Sequence, residues 1–260
     1  MHLDYFDMLS GEPIFIQGVG HIRSPKLGEL RPSSGVGYKA YNWYLSLMSW
    51  DKKQLLRYDA LMKYRGVEKL EHERLNVFDA VILIQQTREL YRGVLSFFIA
   101  EDIVWDQSSC KYIVYVIDEE TEEPRIVGEI TRDNFEDVRN LILQMNFIGL
   151  DKDGAPVKHS SEKSKELWER VQGYLAEQTK RDEAEPHPEY RLSNIISKLC
   201  AVHPSYNLLN IYDLTIFQLY DAFFQVGYMR SADLSEQVFC NHGGDKFKFE
   251  DWLKPILKNV

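Results

Sequence analysis

The chain has 260 residues, of which 44% are hydrophobic and 27% charged, a balance that suits a folded protein and excludes a disordered one. Its 31 basic and 40 acidic residues leave a formal charge of −9, which argues against a protein that binds nucleic-acid phosphates. Cys110, Cys200 and Cys240 give no disulfide framework and suit a reducing cytoplasm. The N-terminus, with Asp4 and Asp7, has no basic-then-apolar leader, and the apolar runs at 81–84 and 94–100 are too short to span a membrane.

Residues 13–23 hold two short β-branched runs separated by Gly18 and Gly20, which predicts a small hairpin or strand pair. Ser24-Pro25 opens a short helix at 26–30, and residues 31–37 are Pro, Ser and Gly punctuation. Tyr41, Tyr44, Leu45 and Met48 fall on one helical face over 38–48, and Asp51 caps a second helix that runs to about residue 64. The longest helical pattern covers 76–100, with Gln85, Glu89, Arg92 and Ser96 opposite its apolar face.

Two β-like runs, 111–117 and 125–130, flank the acidic stretch 118–123 and predict a hairpin with a charged tip. Thr131 caps a following helix whose apolar face is Phe135, Val138, Ile142 and Met145. The chain turns polar at 150–156. A charge-rich helix at 161–180 then reads as a solvated connector, ended by Pro186 and Pro188. These marks divide the chain into an N-terminal α+β domain (1–155), a charged helical connector (156–188) and a C-terminal helical domain (189–260). The fold class is α+β, mainly helical, with small β-hairpins in the N-terminal part and a helical C-terminal part.

Within the last domain a helix is predicted at 190–202, and a short element at 247–256 carries Phe247, Phe249, Trp252, Leu253 and Ile256. Between them lies the most aromatic helix of the chain, opened by Asp213 and closed by Gly227. Gln218, Asp221 and Gln225 make its narrow polar stripe, and nearly every other position is apolar. A helix apolar over most of its circumference is covered on several sides. Phe217, Tyr220, Phe223, Phe224 and Tyr228 are therefore either core or a partner-binding surface.

No motif with catalytic chemistry stands out. Gly18-Val-Gly20 and Gly35-Val-Gly37 lack the third glycine and the βαβ setting of a dinucleotide fingerprint and read as turns. His242-Gly-Gly-Asp245 has no nucleophile elbow to accompany it and reads as a loop. Cys200 with His203 and Cys240 with His242 are ligand types that zinc accepts, but a gap of almost forty residues is not diagnostic. They read as buried thiols with unrelated histidines, so no metal, cofactor or catalytic residue is assigned.

Several stretches resemble a known family: Gly11-Glu-Pro-Ile-Phe-Ile with Gly18-Val-Gly20, Arg23-Ser-Pro-Lys-Leu-Gly-Glu-Leu30, Tyr41-Asn-Trp-Tyr-Leu-Ser-Leu47, Gly128-Glu-Ile-Thr-Arg-Asp-Asn-Phe135 and Asp213-Leu-Thr-Ile-Phe-Gln-Leu-Tyr-Asp221. They look like proteins encoded beside tail genes in phages and prophages of Gram-positive bacteria, similar to tail assembly chaperones. The resemblance implies a non-enzymatic protein of the host cytoplasm that holds apolar helices of the tape measure protein until tube subunits polymerise. Its expected partners are the tape measure protein and the tail tube protein, with a homo-oligomer as a further arrangement, and neither nucleic acid nor membrane. The alternative is a structural neck, connector or baseplate subunit.

Overall fold

The computed structural model describes residues 3–33, 35–57, 75–148 and 191–243. The polar boundary at 150–156, the connector and the aromatic element at 247–256 lie outside them, as does most of the predicted second half of the 51–64 helix. Among the described residues the fold is α+β and mainly helical, with eight α-helices and two antiparallel sheets.

Helix α1, Tyr5–Ser10, was not anticipated, although its punctuation is local: the Asp4 carboxylate accepts from the Phe6 N–H, and Gly11 ends it in the left-handed region. The hairpin follows as β1, Ile14–Ile16, and β2, Gly20–Ile22, with Ile14 opposite Ile22 and Phe15 opposite His21. Glu101 latches this hairpin. Its buried carboxylate accepts from the His21 backbone N–H at 2.9 Å and meets His21 Nδ1 at 2.5 Å. The segment at 26–30 is a 3₁₀ turn, Leu27–Leu30, rather than an α-helix.

Helix α2, Tyr38–Ser49, and α3, Lys52–Leu56, start as expected, the latter under an Asp51 capping box. The long helix expected at 76–100 is two, α4, Val77–Ile82, and α5, Gln85–Phe98. Ile84 is extended. Side chains just beyond the break take the freed carbonyls, with Thr87 Oγ1 donating to Val81 O at 2.6 Å and Arg88 to Ile82 O at 3.2 Å.

Strand β3, Asp102–Asp106, joins β4, Lys111–Ile117, and β5, Pro124–Ile130, in the order β3-β4-β5. The β4–β5 hairpin carries its acidic tip as read, whereas β3 was missed because five residues with two terminal aspartates give little alternation. Gly128 is where this sheet meets the first hairpin. A Cβ there would lie 2.6 Å from the carbonyl carbon and oxygen of Gly18, and Glu129 N–H donates to that oxygen at 2.9 Å. Gly128→Ala must push two backbones apart, and its thermal midpoint is expected to fall by several degrees, a loss of about 1–3 kcal/mol.

Helix α6, Phe135–Met145, starts after Asn134 rather than at Thr131. Thr131 does accept the Asp133 N–H, but Asn134 Oδ1 accepts from the Thr131 N–H, so the two close a turn ahead of the helix. The helix is buried on more sides than its predicted stripe, taking in Arg139, Leu141 and Gln144 as well.

Helix α7 is Leu192–Val202, and a 3₁₀ turn, Ile211–Asp213, leads to α8, Ile216–His242. Asp213 belongs to that turn and does not cap α8. Thr215 does, in a reciprocal box in which its Oγ1 accepts from Gln218 N–H at 3.2 Å and its N–H donates to Gln218 Oε1 at 3.0 Å. Thr215→Ala is expected to cost about 1 kcal/mol in denaturant melts, the ordinary value of a lost cap. Nor does Gly227 end the helix. Tyr228 still packs into the core, so the chain continues through the glycine to Gly243, which closes α8 with its N–H on Phe239 O at 2.7 Å.

One hydrophobic core runs through both halves of the described chain, from Met8 and Ile22 through Phe98 and Phe135 to Phe217 and Phe224. The start of α8 is stitched to the N-terminal part by backbone bonds, Leu27 N–H to Leu214 O at 2.8 Å and Ile216 N–H to Pro25 O at 3.0 Å.

Candidate functional site

The aromatic helix is the natural place to look for a partner surface, and α8 divides into two unlike halves. In the proximal half Phe217, Tyr220 and Phe224 are buried, Tyr228 is buried further along, and Phe223 is half-buried against Phe224. Four of the five candidate partner-binding residues therefore sit inside the chain's own core, where no partner reaches them.

Their neighbour there is Phe147, which sequence reasoning did not single out. Its ring lies 5.1 Å from Phe217, 5.9 Å from Tyr220 and 5.4 Å from Phe224, nearly parallel to the last. Phe147 has φ of 64° at the end of α6, where Phe147 N–H donates to Gln144 O and Ile148 N–H to Leu143 O. This is the double bond pattern that closes helices, normally with glycine at the left-handed position. A phenylalanine accepts that strain because its ring fills the nest on α8.

The first two residues of the polar stripe of α8, Gln218 and Asp221, receive α1, whereas Gln225 is exposed. Gln218 Nε2 donates to Leu9 O at 2.9 Å, and Tyr5 Oη donates to the Asp221 carboxylate. Burial raises the Asp221 pKa above the ordinary carboxylate value, against the smaller opposing pull of hydrogen bonds from Tyr5 and Gln225. The folded state thus holds this proton more tightly than the unfolded chain, so the stability contribution grows as pH falls through the raised pKa towards the ordinary carboxylate range. In melts at neutral and mildly acid pH, the stability difference between wild type and Asp221→Asn is expected to shift in favour of wild type on acidification. Further along, the Tyr228 hydroxyl is buried with no hydrogen-bond partner among the described residues. Tyr228→Phe is expected to be neutral or to stabilise by up to about 1 kcal/mol in the same melts, since it removes an unsatisfied buried group.

Beyond Tyr228 the helix leaves the core. Met229 is 56% exposed, Leu234 53% and Val238 51%, while Arg230, Asp233 and Glu236 are also in solvent. Leu234 and Val238, though not Met229, are in register with the buried positions. Phe217, Tyr220, Phe224, Gly227, Ser231, Leu234 and Val238 succeed one another by alternate steps of three and four, the spacing of a helix–helix seam. The first three are covered by the chain's own core. Gly227 and Ser231, both small and half-buried, come next, and Leu234 with Val238 continues the seam into water.

Among the described residues no group of three His, Cys, Asp or Glu is placed to hold a metal ion. The two thiols expected to be buried are not: Cys240 is exposed and Cys200 is intermediate, its pKa pushed up by burial, while Cys110 is also exposed. Their places explain this, since Cys240 lies on the part of α8 that has left the core. His203 stacks on Tyr206 with ring centroids 4.1 Å apart, and the His242 side chain lies outside the described residues. No described helix is long and apolar enough to cross a membrane.

Residues 180–257, which contain α7 and α8, match the family model described as the YomV second domain, a phage-derived family. No curated protein and no solved structure matches the chain.

Proposed function

We propose that this chain is a non-catalytic tail assembly chaperone that holds an apolar helical segment of the phage tape measure protein in the host cytoplasm before tube subunits polymerise. The observation that carries the reading is the half-exposed seam of α8, within the region similar to a phage-derived family. A seam of alternate three- and four-residue spacing takes a second helix by knobs-into-holes packing, and Leu234 with Val238 supplies the knobs that stand in water. The net negative charge keeps such a protein soluble while its apolar stripe is unoccupied.

The client surface is therefore assigned to Leu234 and Val238 rather than to the buried Phe217 and Phe224. Leu234→Ser with Val238→Ser alters exposed positions, so the fold is expected to survive with a stability change of about 1 kcal/mol or less. Binding of a tape measure helical segment to the intact chain, measured by titration calorimetry, is expected to weaken by about 100-fold, from about 1.5 kcal/mol per apolar side chain. Unchanged affinity in the folded double variant would show that the client binds elsewhere.

A further inference from the structure

A second surface, on the opposite kind of element, lies on the three-stranded sheet. An antiparallel sheet with one packed face normally presents polar side chains on the other. The packed face here follows the rule, with Ile103, Tyr112, Val114 and Ile130 buried. The outer face does not. Val104 stands opposite Ile113, Tyr115 opposite Ile126, and Ile117 opposite Pro124, so aliphatic and aromatic side chains run across all three strands. Ile126 is 66% exposed, Ile117 50% and Val104 45%, with Ile113 and Tyr115 half-buried by their neighbours.

The rim of this patch is acidic. Asp102 and Asp106 border it on β3, and the hairpin tip adds Asp118, Glu119, Glu120, Glu122 and Glu123. On the basic side there are Arg125 and Lys111, and Lys111 is already paired with Glu129. Two of these carboxylates, Asp106 and Asp118, are held in their charged form by local hydrogen bonds. Hydrogen bonds from Ser109 and Ser108 lower the Asp106 pKa to about 2, and the N–H groups of Thr121 and Glu120 hold Asp118 below its ordinary value. An apolar centre inside a predominantly acidic rim is the layout of a docking face for a basic segment, with the centre supplying affinity and the rim supplying steering and partner choice.

We propose that the outer face of β3-β4-β5 docks a basic protein segment, one that places two or three aliphatic side chains on Val104, Ile117 and Ile126 and flanks them with lysine or arginine. This face is separate from the α8 seam and does not depend on the client assigned to it. Its acidic rim disfavours anionic lipid as the occupant.

The probe is a fluorescent peptide alternating lysine with isoleucine and valine, titrated into the full-length chain at low and high salt beside its glutamate counterpart. Binding of the lysine peptide alone, weakening as salt rises, is the expected result. Ile126→Lys, tolerated on an exposed outer strand, is expected to weaken it by about tenfold or more with the circular dichroism spectrum unchanged. Glu119→Lys with Glu120→Lys leaves the apolar centre intact and is expected to flatten the salt dependence. Equal binding of both peptides, or no effect of Ile126→Lys, would overturn the proposal. So would a dimer of the chain that Ile126→Lys abolishes, because the occupant would then be a second copy. Retention of α8 client binding in these variants separates this face from the seam.

Discussion

Phe217→Ala is expected to lower the unfolding free energy by about 3–5 kcal/mol, the range for truncating a fully buried aromatic ring. Phe217 has no exposed surface, stands edge-on to Tyr5 at 6.0 Å and packs on Phe147 at 5.1 Å. Its removal leaves a hole where α1, the end of α6 and the start of α8 meet. The backbone there cannot easily close in, because the Phe217 N–H is tied to Ser24 Oγ at 3.3 Å and Ile216 to Pro25. Urea melts are expected to show a large drop in midpoint for Phe217→Ala and almost none for Leu234→Ser, further along the same seam. That contrast follows from burial alone, and comparable losses at both positions would contradict the division of α8 into core and exposed halves.

Arg139→Met is expected to cost about 3–5 kcal/mol, although it exchanges a charged side chain for an apolar one in a buried place. Nε of Arg139 donates to Met48 O at 2.7 Å, and the guanidinium also donates to Trp50 O and to both Glu136 oxygens at 2.9 Å. The first two acceptors are the carbonyls of Met48, in the last turn of α2, and of Trp50, its C-cap, where the helix's own N–H ladder runs out. Methionine fills much of the volume but donates nothing, so the buried Met48 carbonyl loses its bond from Arg139 at about 1–3 kcal/mol and the part-buried Trp50 carbonyl loses its own at a smaller cost. Arg139→Lys keeps one donor and is expected to recover only part of the loss, since a single ammonium cannot reproduce the planar fork. Full recovery by lysine would mean that charge, and not the arrangement of donors, matters there.

The parts of the fold legible in the sequence are those whose cause is local. The hairpin of β1 and β2, the acid-tipped hairpin of β4 and β5, and the starts of α2, α3 and α7 all rest on nearby turn residues, caps and periodicity. Where packing decides, the pattern misleads. Nothing between Leu83 and Thr87 marks a helix break, because the break depends on Thr87 and Arg88 reaching back to carbonyls of α4. Gly227 has every mark of a helix end, yet Tyr228 is held in the core and carries the helix on. Phe147 draws no notice in the sequence, since its ring matters only once α6 and α8 are side by side.

The candidate site was half legible for the same reason. Apolar spacing located α8 and its aromatic residues, but spacing is identical in a core helix and in a docking helix. Only the three-dimensional arrangement shows that Phe217, Tyr220 and Phe224 are consumed inside while Leu234 and Val238, on the same seam, are left in water. Similarly, nothing in the spacing of Gln218 and Asp221 shows that this part of the polar stripe receives α1.

The most direct test of an assembly role is mass spectrometry of purified phage particles beside the lysate of the cells that produced them, searched for peptides of this chain. A transient chaperone is expected in the lysate and absent from the particles, and from the lysate it should co-purify with the tape measure protein through Leu234 and Val238. Recovery from purified particles at a fixed stoichiometry would contradict the account and make the chain a structural subunit of the tail.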